Sequence, residues 1–495
     1  MRLLLFIVLV TLFAVGVVGF YHVRKPLPSG IEFRGPDRVL NSKDIQFFAD
    51  VTASTKDDQP WVQQEIFEEV FRRIQQADGF VVADFFLVNE FAGGVPDGVE
   101  GPSLSQQLID ALISARKKHP EMPIILITDP LNTLYGGLEQ PLFAQLESNG
   151  IEVVLTDLRK LRDSNQIFSP VWRTFFQWWG DPQGEMLKNP IGDGRIGLSA
   201  FLELLNFKAN HRKTLITGNL SGELFGLVTS GNPHSASAMH SNVALGFTGP
   251  LAADLLQSEA AVYEFSTGQE FPRLIQEFLD RDYESASGND ATLSAVVLTE
   301  MAIKRELIDR FDRLERGDRA DLAIFYFSDM ELQDALEKAI ERGARIRLLM
   351  DPNKDAFGRE KNGIPNRQVA ASLIKKGVEV RWYRTAGEQF HTKMAFFDYG
   401  EAVDSLILGS ANWTRRNLDN LNLETSVSVT GPARDPLFVD VKNYFTFIWT
   451  NGAGDWPAET PNGVVSSVPY DEFKDESGFR KILYWIMERT GASTF

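Results

Sequence analysis

The chain has 495 residues, a formal net charge of -17 at pH 7 and a pI near 5.0. This length is too great for one ordinary hydrophobic core and predicts two domains of similar size. The excess of acidic residues disfavours non-specific binding to nucleic acid, because phosphates would repel the chain on average. The sequence contains no cysteine, which excludes disulfides, thiolate metal sites and cysteine nucleophiles.

The chain begins with an apolar segment. Leu3–Phe20 contains no charged residue, and a helix of this length, rising about 1.5 Å per residue, just spans a bilayer core. We interpret residues 1–25 as a retained single-pass anchor. The alternative is a signal segment cleaved near Val17-Val18-Gly19, which would release a secreted protein. Positive charges flank both ends about equally and do not fix the orientation; we expect the body on the extracytoplasmic side.

The rest of the chain contains an internal repeat. Three segments of the first half resemble three segments of the second in composition and order. The pairs are Arg73–Glu90 with Arg313–Met330, Pro123–Asn132 with Arg345–Lys354, and Leu142–Leu155 with Val369–Trp382. In each half, β-rich apolar runs alternate with amphipathic helices. This order predicts an α/β architecture, with a largely parallel or mixed sheet covered by helices in each half.

The repeats define the expected domain organisation. We expect a first repeat at 60–281, a linker at 282–292, a second repeat at 293–450 and an extension at 451–495. The linker prediction depends on the polar stretch DYESASGND, which has no apolar periodicity.

Two aromatic-rich segments lie outside the repeated pattern. An insert near 168–194 contains Trp172, Trp178 and Trp179, which we expect to form the core of the insert; a lid or a membrane-facing lip is the alternative. The tail Phe479–Gly491 has the pattern of an amphipathic helix. For this helix, docking on the body is favoured over lying in lipid.

One polar motif occurs in both halves at the same spacing. A histidine is followed by a lysine two residues later and by an asparagine 21 residues after the histidine. These residues are His211, Lys213 and Asn232 in the first half, and His391, Lys393 and Asn412 in the second. A single copy would be typical of a surface histidine and an ordinary turn. The duplication in register indicates a functional site.

The motif contains the groups that phosphodiester chemistry needs. Residues two apart on a strand share one face, so each histidine and its lysine point the same way. Two halves packed about a pseudo-twofold axis would bring two imidazoles, two ammonium groups and two amides into one pocket. One imidazole would attack phosphorus while the other protonates the leaving alkoxide. The lysines and asparagines would stabilise the phosphate oxygens, and no carboxylate cluster with metal-ligand spacing is evident near the motifs.

The duplicated motif resembles the signature of the phospholipase D superfamily, H-x-K-x4-D followed by G-S-x-N. The resemblance covers both halves, and it implies two similar α/β/α sandwich repeats related by pseudo-twofold symmetry, with the active site at their interface. It also implies transfer through a phosphohistidine without a metal or another cofactor. On this resemblance His211 is the nucleophile, and His391 is the general acid and then the base. Both lysines and both asparagines would bind phosphate.

The copies differ at one position of the signature, and further polar residues are close by. Gly218 stands where the second copy has Asp398, which in the family is mostly a structural partner. Ser230, Ser235 and Ser410 are supporting or phosphate-binding candidates. The nearby His234 and His240 are interpreted as loop residues beside the pocket that could assist.

A second difference affects the support of the nucleophile. Ala244 is aligned with Glu424, the position whose carboxylate in the family holds a catalytic imidazole. An imidazole that is not oriented works poorly as a nucleophile. Either another group supports His211, or the roles are reversed and His391 with Glu424 forms the attacking pair.

Four functions remain open. The favoured one is a membrane-associated phospholipase D-like phosphodiesterase or phosphatidyltransferase that acts on phospholipid head groups. A cardiolipin-synthase-like transphosphatidylase would use the same intermediate. A nuclease of the superfamily is disfavoured by the acidic pI. A catalytically weak binding protein is the fourth, supported by Gly218 and Ala244; the oligomeric state is left open.

Overall fold

A computed structural model describes residues 1–90, 103–190, 194–288, 291–356, 359–400, 402–452, 456 and 463–491 of the chain. In chain order its strands are β1 (Arg38–Asn41), β2 (Ile45–Thr55), β3 (Pro60–Gln63), β4 (Phe80–Phe85), β5 (Ile124–Thr128), β6 (Glu152–Leu155), β7 (Leu187–Lys188), β8 (Arg195–Ile196), β9 (Lys213–Gly218), β10 (Leu224–Thr229), β11 (Asn242–Thr248), β12 (Ala291–Thr299), β13 (Arg319–Ile324), β14 (Arg345–Met350), β15 (Asp355–Ala356), β16 (Arg359–Glu360), β17 (Glu379–Tyr383), β18 (Lys393–Asp398), β19 (Val403–Gly409), β20 (Thr425–Pro432), β21 (Val464–Val465) and β22 (Ser467–Pro469).

The helices begin and end at residues suited to those positions. They are α1 (Arg2–Arg24), α2 (Ile66–Gln76), α3 (Leu104–Lys118), α4 (Pro141–Ser148), α5 (Phe168–Phe175), α6 (Leu198–Leu204), α7 (Pro250–Thr267), α8 (Arg273–Leu279), α9 (Met301–Asp312), α10 (Met330–Arg342), α11 (Asn366–Leu373), α12 (Arg415–Leu418), α13 (Pro436–Thr450) and α14 (Gly478–Thr490). Proline occupies the first turn of α7 and α13, where its missing N–H has no intrahelical partner to lose. Gly343 ends α10 in the left-handed conformation, with a φ of 101°.

Two large sheets have the same strand order. The first contains β2-β11-β10-β9-β4-β5-β6, and the second contains β12-β20-β19-β18-β13-β14-β17. In both, the first four strand pairs are antiparallel and the last two are parallel. This correspondence, strand for strand, confirms the prediction of two similar α/β repeats.

Three large hydrophobic cores separate the layers in the part of the chain that the structure describes. A central core contains side chains from both sheets, including Val243 and Leu245 of β11 with Val427 and Val429 of β20. It also contains apolar side chains of α7 and α13. A second core lies between the first sheet and α2, α3 and α4, and a third lies between the second sheet and α9, α10 and α11. Each sheet is therefore covered on both faces, which explains why strands such as β4 are buried along their whole length.

Short strands tie both ends of the chain to the sheets. β1 pairs with β12 in the second sheet, β21 pairs with β2, and β22 pairs with β17. The first sheet also contains β2, which precedes the range 60–281 predicted for the first repeat. The predicted linker and the predicted extension, 451–495, both include residues outside the described part of the chain. Their boundaries stay predictions.

The insert and the tail differ from the sequence-based expectations. Trp172 is buried at 2% exposure, whereas Trp178 and Trp179 are each 73% exposed. The expectation that all three form a core is therefore wrong for the last two, which follow the end of the short helix α5. The tail helix α14 does dock on the body, through one face only, whose side chains are Leu483, Tyr484 and Met487.

The N-terminal apolar segment forms α1, which is long and apolar enough to cross a membrane. Its last turn is attached to the body. The carbonyl of His22 accepts a hydrogen bond from the N–H of Asp163 at 3.0 Å, and Lys25 Nζ donates to the carbonyl of Arg159 at 2.8 Å. Gly19 packs so closely against α5 that a Cβ there would lie 2.7 Å from Cγ of Pro170.

Candidate active site

The two copies of the motif occupy equivalent places in the two sheets. His211 lies two residues before β9, and His391 lies two residues before β18. These two strands are in the middle of their sheets. All six residues of the duplicated motif are buried, and none is more than 8% exposed. The lysines begin their strands and point back: Lys213 Nζ donates to the carbonyl of His211, and Lys393 Nζ donates to that of His391, both at 2.7 Å.

Each histidine is held by the opposite half of the molecule. The N–H of His211 donates to the carbonyl of Leu423, at 2.9 Å, just before β20 of the second half. The N–H of His391 donates to the carbonyl of Ser241, also at 2.9 Å, just before β11 of the first half. Because these backbone contacts cross between the halves in both directions, the two motifs meet at one interface.

The side chain of His211 contacts a carboxylate from the second half. His211 Nδ1 lies 2.8 Å from Oε1 of Glu424, which is fully buried. The hydroxyl of Ser410 and the amide of Asn417 both donate to the same carboxylate, and the N–H of Glu424 donates to Glu300 at 3.0 Å. Glu424 is therefore fixed on several sides, and its carboxylate holds Nδ1 of His211 so that Nε2 is left for chemistry.

The side chain of His391 contacts an amide from the first half. His391 Nδ1 lies 3.2 Å from Oδ1 of Asn242, whose Nδ2 donates to the carbonyl of His240 at 3.1 Å. That second bond fixes which end of the amide faces the ring. Oδ1 can only accept, so Nδ1 of His391 carries the hydrogen and Nε2 has the free lone pair.

The register of the sheets identifies Asn242 as the counterpart of Glu424. Ser230 Oγ donates to Asn242 Oδ1 at 3.1 Å, as Ser410 does to Glu424. Thr229 at the end of β10 pairs with Ala244, whereas Gly409 at the end of β19 pairs with Ser426. The alignment of Ala244 with Glu424 is therefore wrong by two residues.

The pairing of His391 with Glu424, one of the two alternatives left by the sequence, is also contradicted: Glu424 contacts His211. His211 thus has the supporting group that the sequence left in doubt.

Aromatic rings cover both histidine–lysine pairs in the same way. Phe86, the residue after β4, has its ring centroid 4.9 Å from that of His211 and 5.3 Å from Lys213 Nζ. Phe325, the residue after β13, lies 4.7 Å from His391 and 5.0 Å from Lys393 Nζ. Such faces stabilise the ammonium groups while excluding water from the imidazoles.

Burial and mutual repulsion lower the pKa values of all four bases of the site. Burial lowers the pKa of His211 to about 4, against the opposing effect of Glu424. Burial, followed by the charge of Lys393, lowers the pKa of His391 well below its usual value. Burial lowers the pKa of Lys213 to about 7, and burial together with the charge of Lys213 lowers that of Lys393 well below its usual value. An anion placed among these groups would raise all four pKa values, so the site favours an anionic ligand.

The remaining residues of the motif take different places. Asn232 Oδ1 accepts a hydrogen bond from the N–H of Leu87 at 3.3 Å. Asn412 Oδ1 is buried and has no hydrogen-bond partner in the part of the chain that the structure describes. Asp398 lies at the other end of β18, where it pairs with Arg319 at 3.0 Å. Asp398 is therefore a structural residue remote from the histidines, and its absence at Gly218 does not affect the site directly.

A pair of aspartates, Asp129 and Asp351, positions the motif and was not assigned to the site from the sequence. The carboxylate of Asp129 accepts the N–H of Asn210, and that of Asp351 accepts the N–H of Phe390, at 2.7 and 2.8 Å. Asn210 and Phe390 directly precede the two histidines. The Asp-Pro pair that follows a buried strand in each half was the sequence signal that could have identified these aspartates. His240 is also buried, with its ring centroid 5.8 Å from that of His391.

Comparison with known proteins agrees with this architecture. The family model for the phospholipase D-like domain of cardiolipin synthase matches residues 308–449, which include His391, Lys393 and Glu424. The crystal structure of phosphatidylserine synthase from Haemophilus influenzae Rd KW20 is similar over 92% of this chain and 95% of that one, with a TM-score of 0.55 and 11% sequence identity. At that identity the likeness is one of fold.

Polyphosphate kinase from Porphyromonas gingivalis gives a TM-score of 0.43 at 13% identity, over 91% of this chain and 56% of its own. No curated protein sequence matches the chain significantly.

Proposed function

We propose that the chain is a membrane-associated enzyme of the phospholipase D superfamily, which cleaves or exchanges phospholipid head groups through a phosphohistidine; the family model over residues 308–449 and the similar fold of phosphatidylserine synthase support this. The observation that carries this proposal is the reciprocal support of the two histidines across the interface. His211 is held by Glu424, and His391 is held by Asn242. Both imidazoles therefore have Nδ1 occupied and Nε2 available, beside two buried lysines.

In the first step, Nε2 of His211 attacks phosphorus and forms a P–N bond while the P–O bond to the leaving alcohol breaks. His391, protonated on Nε2 once the anionic substrate has raised its pKa, gives that proton to the leaving oxygen. Glu424 stabilises the positive charge that develops on the ring of His211. Lys213 and Lys393 offset the negative charge on the non-bridging oxygens.

In the second step, water or an alcohol attacks the phosphohistidine. Neutral His391 removes the proton of the attacking hydroxyl, the new P–O bond forms, and the P–N bond breaks to return His211 with its electron pair. Water gives hydrolysis and an alcohol gives head-group exchange. The same residues serve hydrolysis and head-group exchange. Turnover with and without ethanol therefore identifies the acceptor.

A lipid substrate is supported by the apolar helix α1 and by the relatives. The helix is suited to a membrane span, and the matched domain and the similar structure are those of cardiolipin synthase and phosphatidylserine synthase. The net charge of -17 makes a polynucleotide substrate a poorer match. A superfamily nuclease is the second candidate, favoured only by the phosphodiester chemistry that it shares.

The test uses full-length protein in vesicles of phosphatidylglycerol and phosphatidylcholine, with and without ethanol, in the presence of a chelator. Release of the head group, or formation of phosphatidylethanol, would support the proposal, and we expect no effect of chelation. Acid quench and mass spectrometry should find the phosphorylated peptide that contains His211. Cleavage of DNA without lipid turnover would overturn the lipid assignment, and turnover without a phosphopeptide would overturn the mechanism.

A further inference from the structure

Two exposed apolar segments have no role in the proposed chemistry. One begins at the last residue of α5 and continues beyond it, and the other is the outer face of α14. We call them together the aromatic surface, and its residues are Phe175, Phe176, Trp178, Trp179, Phe479, Ile482, Trp485 and Ile486. Each is at least 43% exposed, and Trp178, Trp179 and Phe479 exceed 70%. A soluble protein seldom exposes so much aromatic side chain in one region unless something covers it.

The two segments are tied to each other. The N–H of Gln166, just before α5, donates to the carbonyl of Thr490 at the end of α14, at 3.1 Å. Arg415 joins the same two regions, because its guanidinium donates to the carbonyls of Ser164 and Glu488 at 3.4 and 3.2 Å. The end of α14 and the start of α5 therefore belong to one region of the surface.

The membrane-spanning candidate α1 is attached to this region. Gly19 packs on Pro170 of α5, and His22 and Lys25 bond to the loop that precedes α5. If α1 crosses the bilayer, the segment after α5 is held beside the point where α1 leaves it. Trp and Tyr are the residues that favour the boundary between lipid head groups and acyl chains.

The charge of α14 suits the same surface. Its exposed face combines Phe479, Ile482 and Trp485 with the cations Lys481 and Arg489, whereas its one acidic residue, Glu488, is buried. Arg489 lies over the ring of Trp485, at 4.6 Å from its centroid. An apolar face bordered by Lys and Arg is typical of a helix that lies in the plane of an anionic membrane surface.

The inner face of α14 lies over the active site. Its side chains pack on Phe325 and Tyr326, and the ring of Phe325 is in turn 4.7 Å from that of His391. The hydroxyl of Tyr484 also donates to the carbonyl of Ser328 at 3.0 Å. A single layer of side chains thus separates the helix from a histidine of the site.

We propose that the aromatic surface docks on the same bilayer that α1 enters, and that this contact brings the site to its lipid substrate. The proposal adds a peripheral membrane contact to the anchor. Its functional consequence rests on the proposed lipid chemistry, although the contact itself does not.

The absence of cysteine makes the contact directly measurable. Single cysteines are introduced in full-length protein by Ile482→Cys and Trp178→Cys and are spin-labelled after reconstitution in phosphatidylglycerol–phosphatidylcholine vesicles. The matched control is Leu220→Cys, in the turn after β9 at the end remote from the histidines, where the native side chain is 66% exposed. We expect the first two labels to lie about 5–10 Å below the lipid phosphates, protected from an aqueous nickel chelate, and the third to be accessible.

Equal access of the nickel chelate to all three labels would overturn the proposal. Dipolar broadening between labels at Ile482 would also overturn it, because a second copy would then cover the surface. These outcomes do not depend on catalysis, so they separate this proposal from the proposed function.

A kinetic measurement tests the consequence. Trp485→Glu should lower kcat/KM on vesicles about tenfold, through KM, and should leave the rate on a short-chain monomeric phospholipid unchanged. Leu220→Glu should change neither. Equal losses on both substrates by Trp485→Glu, with an unchanged melting temperature, would contradict a docking role.

Discussion

The two halves share a strand order but support their histidines with different chemistry. In the first half the imidazole of His211 meets the carboxylate of Glu424, and in the second the imidazole of His391 meets the neutral amide of Asn242. The serines beneath the two partners, Ser410 and Ser230, donate in the same way. The difference is therefore one of charge at an otherwise equivalent position.

This difference supports the roles proposed for the two histidines. A carboxylate stabilises an imidazole that becomes positive, which is what happens to a nucleophile as its P–N bond forms. An amide fixes the tautomer without holding a proton on the ring, so His391 can release its proton to the leaving group and recover one from the acceptor. The pseudosymmetric scaffold thus carries an asymmetric pair, and we infer that His211 is the attacking group and His391 the proton carrier.

The largest expected effect comes from removing either imidazole. His211→Ala and His391→Ala should each reduce turnover of phospholipid by at least about 10³-fold. The two variants should differ on a p-nitrophenyl phosphodiester, whose leaving group needs no proton. His391→Ala should still form the phosphohistidine and accumulate it, whereas His211→Ala should form none. The measurement is acid-quench mass spectrometry, and accumulation in His211→Ala instead would reverse the assignment.

Removing the charge from the first partner should have the next largest effect. Glu424→Gln keeps the size of the side chain but loses the carboxylate that supports the positive ring of His211. By analogy with other histidine–carboxylate pairs, kcat should fall on the order of 10²–10⁴-fold. The matched change at the second partner, Asn242→Ala, removes only a neutral acceptor and should cost less. Steady-state kinetics of both variants measures the two losses of kcat. Equal losses would mean that the charge of Glu424 has no special role.

The two lysines provide a third contrast. Burial lowers the pKa of Lys213 to about 7, and burial and the charge of Lys213 lower that of Lys393 well below its usual value. As pH rises through about 7, Lys213 loses its proton and the site loses positive charge. Binding of sulfate, which does not itself titrate in this range, should therefore weaken by about tenfold per pH unit above 7. Calorimetric titration measures this; in Lys213→Met the break near pH 7 should disappear.

Much of the site could be predicted from the sequence because its chemistry is carried by adjacent residues. The duplicated His-x-Lys and the asparagines identified the interface, and the alternating pattern identified the α/β repeats. The partners of the histidines could not be found this way. Asn242 follows Asn232 by ten residues, whereas Glu424 follows Asn412 by twelve, so equal spacing aligned Glu424 with Ala244. The register of the sheets corrects this alignment. The structure also shows that each histidine is supported by a residue of the opposite half.

A smaller effect on activity is expected when Asn242, the partner of His391, is given a negative charge. Asn242→Asp places a carboxylate beside His391, whose pKa is otherwise lowered by burial and by Lys393. The carboxylate should raise that pKa by about one unit. The general acid would then keep its proton to a higher pH, so the alkaline limb of the kcat profile should move upward by the same amount. An unchanged limb would show that His391 is not the acid.

The smallest effect on activity is expected at the end of the two strands remote from the histidines. Gly218 of β9 and Asp398 of β18 are equivalent positions, but a Cβ at Gly218 would lie 2.2 Å from the ring of Phe80, whereas Asp398 makes a partly exposed ion pair with Arg319. Gly218→Ala overpacks a buried ring and should cost about 1–3 kcal/mol of stability. Asp398→Ala should cost less than about 1 kcal/mol. Thermal melting should therefore separate the two variants while kcat stays at the wild-type value in both. A loss of kcat in Asp398→Ala without a change in melting temperature would instead give that carboxylate a direct role, which its position at the far end of β18 argues against.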